Sequence, residues 1–213
     1  MEEILKKYLL LKDQNVPRET FIEFEIFLSM LKQKNEEINI ISKKTAKNEV
    51  IRERHIVDSA QIIEFIDLNS NIITDIGSGG GMPGIIISIM LKNLKKTTKT
   101  YLYEKSYHKS AFLRKVSRDL ELNTEVIQQN IFEAENLESG TIMARAFKPL
   151  PIILDLVYKN FSSYKNLIVF MGKNGEKVLE ETLMNWDFDF EKKKSITSDD
   201  SFLLNIKKIK KKN

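Results

Sequence analysis

The chain has 213 residues, with 34 Lys and Arg against 30 Asp and Glu, two His and no Cys. That length, with 42% apolar residues, suits one α/β domain carrying a small extension. The missing Cys excludes disulfides, zinc ribbons, iron–sulfur clusters and a cysteine nucleophile, and two His without an H-E-x-x-H argue against a His-rich metal site or a His-dependent triad.

The first ten residues, MEEILKKYLL, carry acids early and no small-residue cleavage site, so no signal peptide is expected. Phe21, Phe24, Phe27, Leu28 and Leu31 recur at helical spacing within residues 18–34, with Pro17 suited to a first turn. A second helix is expected over 47–66. Residues 1–70 therefore read as a helical extension, and 71–213 as the main domain. Strand-like runs then alternate with amphipathic helices. Strands are expected at 71–76, 100–104, 124–129, 141–146 and 166–171, and helices at 84–93, 108–121, 150–160 and 175–185. The longest apolar run, IIISIM, is too short to cross a bilayer, so a cytoplasmic protein with no membrane partner is expected. Runs 188–192 and 202–209 close the chain with no helix between them. Five βα repeats followed by a hairpin predict a seven-stranded, mostly parallel sheet with a reversed last strand. Such a sheet resembles the Rossmann-like class I fold of S-adenosylmethionine (SAM)-dependent methyltransferases.

Net charge is +4, and the last seven residues hold five Lys, without which the rest of the chain is −1. Residues 92–118 hold nine basic residues and one acid, Glu104, with aromatic residues interleaved. Both concentrations suit a phosphate backbone, so a nucleic-acid partner is favoured over a merely solvated face.

The strongest local signal is Asp75-Ile76-Gly77-Ser78-Gly79-Gly80-Gly81-Met82-Pro83-Gly84, which follows a strand and opens a helix. Five of the eight Gly fall in these ten residues, and the turn reads as bare backbone on which a ligand can lie. Met82 stands where a dinucleotide fingerprint has its third Gly, which suits a smaller nucleoside. Asp75, Gly77, Gly79 and Met82 are thus candidate cofactor residues. Glu104, ending the second strand, can accept both ribose hydroxyls. Phe132 and Glu133, past the third strand, can cover an adenine ring and bind its amino group. After the fourth strand stands Ala144-Arg145-Ala146-Phe147-Lys148-Pro149, which offers cations and no amide or acid. Arg145 there is a poor base but can reach guanine O6 and N7. With no Cys for covalent attack on a pyrimidine, a nucleophile needing no deprotonation fits best, and the N7 lone pair of guanine is one.

These segments together resemble the bacterial 16S rRNA guanine-N7 methyltransferases, the glucose-inhibited division protein B (RsmG) family, over nearly the whole chain. The resemblance rests on Glu37 to Ile41, Arg54-His55-Ile56-Val57-Asp58-Ser59, Asp75 to Gly84 with its trailing Pro-Gly, Lys109 to Arg114, and Ala144-Arg145-Ala146. It implies methyl transfer from SAM to N7 of guanine 527 in the 530 loop of 16S rRNA, by a monomer without metal. It implies SAM contacts from Gly77, Met82, Phe132, Glu133 and Arg145, and places His55, Asp58 and Arg114 toward the substrate. The chain departs from the family at Lys34, where an aromatic is usual, and at Ile131, where an Arg is usual. It departs again at Met171-Gly172-Lys173, where a Lys-Gly pair is usual and Lys173 can substitute. A SAM-dependent enzyme of small molecules, or a non-catalytic SAM- and RNA-binding ribosome assembly factor, are the other readings the same fold permits.

Overall fold

The computed structural model describes Tyr8, Leu11 and residues 16–41 and 52–212, the side chains of Glu53 and Arg54 excepted. Helix α1 (Arg18–Glu37) buries Phe21, Phe24, Phe27, Leu28 and Leu31, the stripe that the spacing predicts. It ends where Ile38 turns extended and donates its N–H to Lys34 O. Asn35 Oδ1 then accepts from Ile40 N at 2.8 Å and Ile41 N at 2.9 Å, fixing the backbone of two isoleucines that reach the site.

The second predicted helix is a composite, α2 (52–65). It has a π turn at Arg52–Val57, one α turn at Asp58–Ala60 and a 3₁₀ turn at Gln61–Phe65. Its predicted first five residues, 47–51, lie outside the described residues. Irregular winding of this kind recurs at functional sites because it re-aims side chains, and His55 and Asp58 stand on it.

The main domain alternates β1 (Ile72–Ile76), α3 (Gly84–Asn93), β2 (Lys99–Tyr103), α4 (Tyr107–Asp119), β3 (Thr124–Ile127), β4 (Leu137–Ala144), α5 (Leu150–Asn160), β5 (Phe161–Met171) and α6 (Gly175–Leu183). β6 (Trp186–Lys194) and β7 (Phe202–Lys211) follow. The sheet order is β3-β2-β1-β4-β5-β7-β6, with β7 antiparallel to both neighbours and the other strand pairs parallel. This is the expected class I methyltransferase sheet. β4 begins four residues before the predicted start and stops at Ala144, so Arg145 and Ala146 belong to the loop. Glu138, Ser139 and Gly140 in β4, and Ser162, Ser163 and Lys165 in β5, explain the lack of an apolar signal over the early part of both strands.

Helix α3 is apolar on all sides, with Ile85 to Leu91 buried. A helix of that kind needs cover on both faces. The sheet gives one cover and α1 the other, so extension and main domain share one core. Polar contacts fix the seam: Lys92 Nζ lies 2.6 Å from Glu23 Oε1, and Asn93 Nδ2 lies 2.7 Å from Glu23 Oε2.

The C-terminal lysines do not form a free tail. Lys207 to Lys211 lie in β7, opposite Trp186, Asp187 and Asp189 of β6. Lys208 pairs with Asp189 at 2.8 Å. The local sequence looks like a basic appendage, but Leu204, Ile206 and Ile209 are buried and hold it as a strand.

Asn166 locks this arrangement. Its Nδ2 donates to Phe65 O (2.9 Å) and Asn205 Oδ1 (2.7 Å), and its Oδ1 accepts from Thr141 Oγ1 (2.8 Å). One buried amide thus joins β4, β5, β7 and the end of α2. Asn166→Ala leaves three buried polar partners short of a hydrogen bond and is expected to cost roughly 3 kcal/mol, at about 1–3 kcal/mol per orphaned group. Urea unfolding with an unchanged slope checks this, and a loss under about 1 kcal/mol would contradict it.

Candidate functional site

The strand order reverses between β1 and β4, and the crevice beyond the carboxyl ends of such strands is where open α/β sheets bind ligands. A cavity of about 730 Å³ lies there. It is lined by the turn Gly77–Gly80, Met82, Glu104, Ile131, Phe132 and the loop from Arg145 to Lys148, with Ile40, Ile41 and His55 closing it from the extension.

The turn is held by its backbone. Gly77 N and Ser78 N both donate to Tyr103 O at 2.9 Å, tying the end of β1 to β2. Glu104 is 8% exposed and grips the turn as well: Oε2 accepts from Gly79 N (2.9 Å) and Oε1 from Ser106 N (2.7 Å). Each carboxylate oxygen keeps a further lone-pair direction, so the acid can still accept from a diol. Asp75 stands behind the turn, 1% exposed, with Oδ2 accepting from Gly84 N at the start of α3. Burial pushes its carboxyl up to about 7, against the pull of its hydrogen bonds and the nearby Arg145 charge. A Cβ on Gly84 would meet Leu102 and Asp75 at 2.4–2.5 Å, and one on Gly80 would meet Ile40 at 2.7 Å. Those two glycines serve packing.

The turn is therefore not bare along its length. Gly79 faces open space, its nearest neighbour to an added Cβ being 3.8 Å away. Gly77, at φ +74°, lies under the ring of Phe147, 2.2 Å from where its Cβ would be. Phe147 in turn stacks on Phe132 at 5.9 Å between centroids. A nucleoside can lie along Gly79 and Glu104 as the site stands, and reaches Gly77 once Phe147 swings away. With that one movement the donor set fits an adenosyl group.

Arg145 separates this cavity from a neighbour of about 420 Å³ lined by Asp58, Phe170, Ser195, Thr197, Ser198 and Ser201. Its Nε and Nη2 each lie 3.1 Å from Asp58 Oδ2, its Nη1 lies 3.3 Å from His55 Nδ1, and its guanidinium sits 5.6 Å from the centre of the Phe170 ring. Burial lowers the Arg145 pKa, and Asp58 opposes that shift. Removing the Asp58 carboxylate would leave a buried cation, a loss typically of about 3–5 kcal/mol. Among the described residues no cluster of His and acids is arranged to hold a metal, and no helix is long and apolar enough to cross a membrane.

Comparison with known proteins decides the family. Residues 21–203 match the model of the family described as GidB, rRNA small subunit methyltransferase G. A curated ribosomal RNA small subunit methyltransferase G from Pelagibacter ubique is 86% identical over all 213 residues, covering 100% of both chains. One from Rickettsia felis is 34% identical over 196 residues, covering 92% of this chain and 97% of its own. The chain belongs to the rRNA small subunit methyltransferase G family. Solved structures agree on the fold alone. A SAM-dependent methyltransferase from Aquifex aeolicus superposes with a TM-score of 0.55 at 13% identity, covering 73% of this chain and 92% of that one. A variant of MtNAS in complex with S-adenosylmethionine gives 0.55 at 13% identity, covering 87% of this chain and 74% of that one.

Within this methyltransferase, Gly77, Gly79, Met82, Glu104, Phe132, Arg145 and His55 come together around the larger cavity, and Asp58 joins Arg145 from the smaller one. Four expected cofactor or substrate residues lie elsewhere. Asp75 supports the turn from behind. Glu133 is exposed, accepts from Asn130 Nδ2 at 2.9 Å and is not in the cavity wall, because the 3₁₀ turn Ile131–Glu133 presents its neighbours instead. Arg114 is on the exposed side of α4, 3.4 Å from Gln128 Oε1 and outside both cavities. Lys173 lines a third cavity of about 550 Å³, shared with Phe147 and Lys148. Sequence reasoning missed Phe147, Ser195 and Thr197, whereas Lys148 was read with Arg145 as a cation of its loop. Phe147-Lys148 adjoins the singled-out Arg145, but nothing local marks Ser195 or Thr197.

Two outcomes follow from the turn. Asp75 has an ordinary value of 3.8 and a folded value of about 7, so its contribution to stability is complete below about pH 4 and is lost as pH rises through 7. Thermal melts are expected to show wild type losing stability relative to Asp75→Asn between pH 4 and pH 7, and parallel curves would contradict this. Gly77→Ala strains a left-handed position at a cost of about 1–3 kcal/mol and displaces Phe147. Calorimetry is expected to show SAM binding abolished, and wild-type affinity would place the nucleoside elsewhere.

Proposed function

We propose that this methyltransferase transfers a methyl group from SAM to N7 of guanine 527 in the 530 loop of 16S rRNA, acting as a cytoplasmic monomer on the small subunit or its precursor. The observation that carries this reading is the position of Arg145: a buried guanidinium, charge-balanced by Asp58, in the wall between the nucleoside-sized cavity and a second cavity that opens beside it.

SAM, when bound, supplies an electrophilic methyl group on a sulfonium. The chain's own residues do the rest. Glu104 and the Gly79 backbone hold the adenosyl group, with Phe132 and Phe147 as apolar walls. Arg145, the one buried cation at the end of β4 among the described residues, is suited to O6 of a guanine and so to aligning N7. Neither Arg145 nor the ion-paired Asp58 is set up to remove a proton, and N7 carries a lone pair that needs none removed. The residues therefore act by orientation and by excluding water. The base must be presented unstacked.

The basic residues divide by partner. Lys92, Lys99, Lys115 and Arg118 are paired with Glu23, Glu125 and Asp119. Lys105, Lys109 and Lys148 line the larger cavity, and none of them pairs with an acid among the described residues. Three unpaired cations at a cavity mouth favour an RNA backbone over a free metabolite.

Incubation with labelled SAM and unmodified 30S subunits, followed by borohydride and aniline cleavage, is expected to give one N7-methylguanine cut in the 530 loop. Label in small molecules with none in RNA would favour a metabolite enzyme, and SAM binding without methylation of any ribosomal particle would favour an assembly factor. A triple Ala variant at Lys105, Lys109 and Lys148 is expected to reduce the salt slope of RNA binding by about 2, at about 0.7 per phosphate contact on single strands. Alanines at Lys99 and Lys115 should leave it nearly unchanged. Equal slopes in all three proteins would reject this placement of the RNA.

A further inference from the structure

Asp58 has two oxygens with separate duties. Oδ2 holds Arg145, while Oδ1 accepts from three donors: Gln61 Nε2 at 2.7 Å, Thr197 Oγ1 at 3.0 Å and Ser195 Oγ at 3.2 Å. Gln61 is one turn further along α2. Ser195 and Thr197 are on the turn between β6 and β7, 137 and 139 residues away in sequence from Asp58. The turn is docked by backbone too, since Ile196 N donates to Gln61 Oε1 at 3.0 Å, and within the turn Thr197 N donates to Ser195 Oγ at 3.2 Å. The two hydroxyls also lie 3.0 Å apart. The same turn closes the cavity of about 420 Å³ on the far side of Arg145.

We infer that Ser195 and Thr197 are positioning residues for the transfer: their hydroxyls fix the rotamer of Asp58, and Asp58 fixes the guanidinium of Arg145 in the wall between the two cavities. A carboxylate attached through two rotatable bonds can face Arg145 in several ways. The donors on Oδ1 select the one in which Oδ2 meets Nε and Nη2 together. The selection has a functional reason, because a guanidinium in a shared wall addresses ligands on either side, and a tilt of it misplaces the atoms to be joined. Misplacement of about 1 Å can cost on the order of a hundredfold in rate. Folding alone asks less of this turn, since Thr197 is only partly buried at a cavity edge, Ser195 is a small buried hydroxyl, and the hairpin is held by its own ladder of pairs from Trp186–Lys211 to Lys194–Phe202. Neither residue needs to touch the substrate. Their effect passes through Asp58, and the inference rests on the reading that Arg145 faces the methyl acceptor.

The test compares wild type with Thr197→Val, which keeps the shape and removes the hydroxyl, with the double variant Ser195→Ala/Thr197→Val, and with Thr197→Ser, which returns the hydroxyl. The readouts are steady-state methylation of 30S subunits, SAM affinity by calorimetry, melting temperature, and the ¹⁵N–¹H resonance of Arg145 Nε assigned through Arg145→Lys. The double variant is expected to melt within a few degrees of wild type and to bind SAM with unchanged affinity. It should lose at least tenfold in kcat with KM for 30S unchanged, and its Arg145 Nε resonance should broaden or shift toward that of a free guanidinium. Thr197→Ser should restore rate and resonance together. An unaltered resonance and kcat in the double variant would overturn the inference, as would a Thr197→Ser variant as impaired as Thr197→Val. The resonance does not depend on the methyl acceptor. A wild-type protein that fails to methylate 30S, yet loses its ordered Arg145 signal on Ser195→Ala/Thr197→Val, would refute the proposed reaction and uphold the positioning role.

Discussion

A buried arginine has to be balanced, and the Arg145–Asp58 pair is the constraint around which the site is organised. Arg145 follows β4, Asp58 belongs to the helical extension, and the hydroxyls that brace Asp58 come from the turn between the last two strands. Three stretches far apart in the chain must therefore arrive at one point before the cation can be buried there. The price of burying the cation alone explains why the extension cannot drift from the sheet without disrupting the site. The shared core between α1 and α3 and the Asn166 network supply the same coupling at greater depth.

The glycine turn answers a second constraint, that of bringing β1 into α3 beside a ligand in very little space. Its glycines divide the labour. Gly80 and Gly84 let Ile40, Leu102 and Asp75 pack close, Gly79 leaves backbone open to the cavity, and Gly77 admits the Phe147 ring. Glu104 works on both sides, holding the turn through Gly79 N while facing the cavity. The carboxylate that orders the turn is thus the one best placed to greet a ribose. Little reorganisation of Glu104 would be needed when a nucleoside arrives, whereas Phe147 must move.

Charge follows the same logic of partners. The chain is rich in lysine, yet four of the nine basic residues between Lys92 and Arg118 are occupied by neighbouring acids, and Lys208 and Lys211 are paired with Asp189 and Asp155. What the cavity mouth retains is a small set of cations drawn from the β2–α4 connection, the first turn of α4 and the loop after β4. Counting lysines along the sequence overstates the surface open to a polyanion, because ion pairing is a matter of which elements become neighbours.

Local physics made much of this protein legible in its sequence. The 3.6-residue stripe of α1, the all-apolar face of α3, the strand–helix alternation and the glycine turn each follow from short-range rules, and α3 and α5 fall at the residues expected. The candidate residues that touch the larger cavity, Gly79, Glu104, Phe132 and Arg145 among them, were legible because each lies in the connection that leaves a strand, where the alternation itself marks the position. Tertiary structure alone decided the rest. Asp75 turned inward because Gly84 N needed an acceptor, and the lysine-rich terminus became a strand because β5 and β6 offered it partners. Ser195 and Thr197 acquired a place beside Asp58 only when the last hairpin folded back across the sheet. Hydrogen bonds and ion pairs between residues more than a hundred positions apart leave no periodicity to read, since the chain encodes them only through the packing that brings them together.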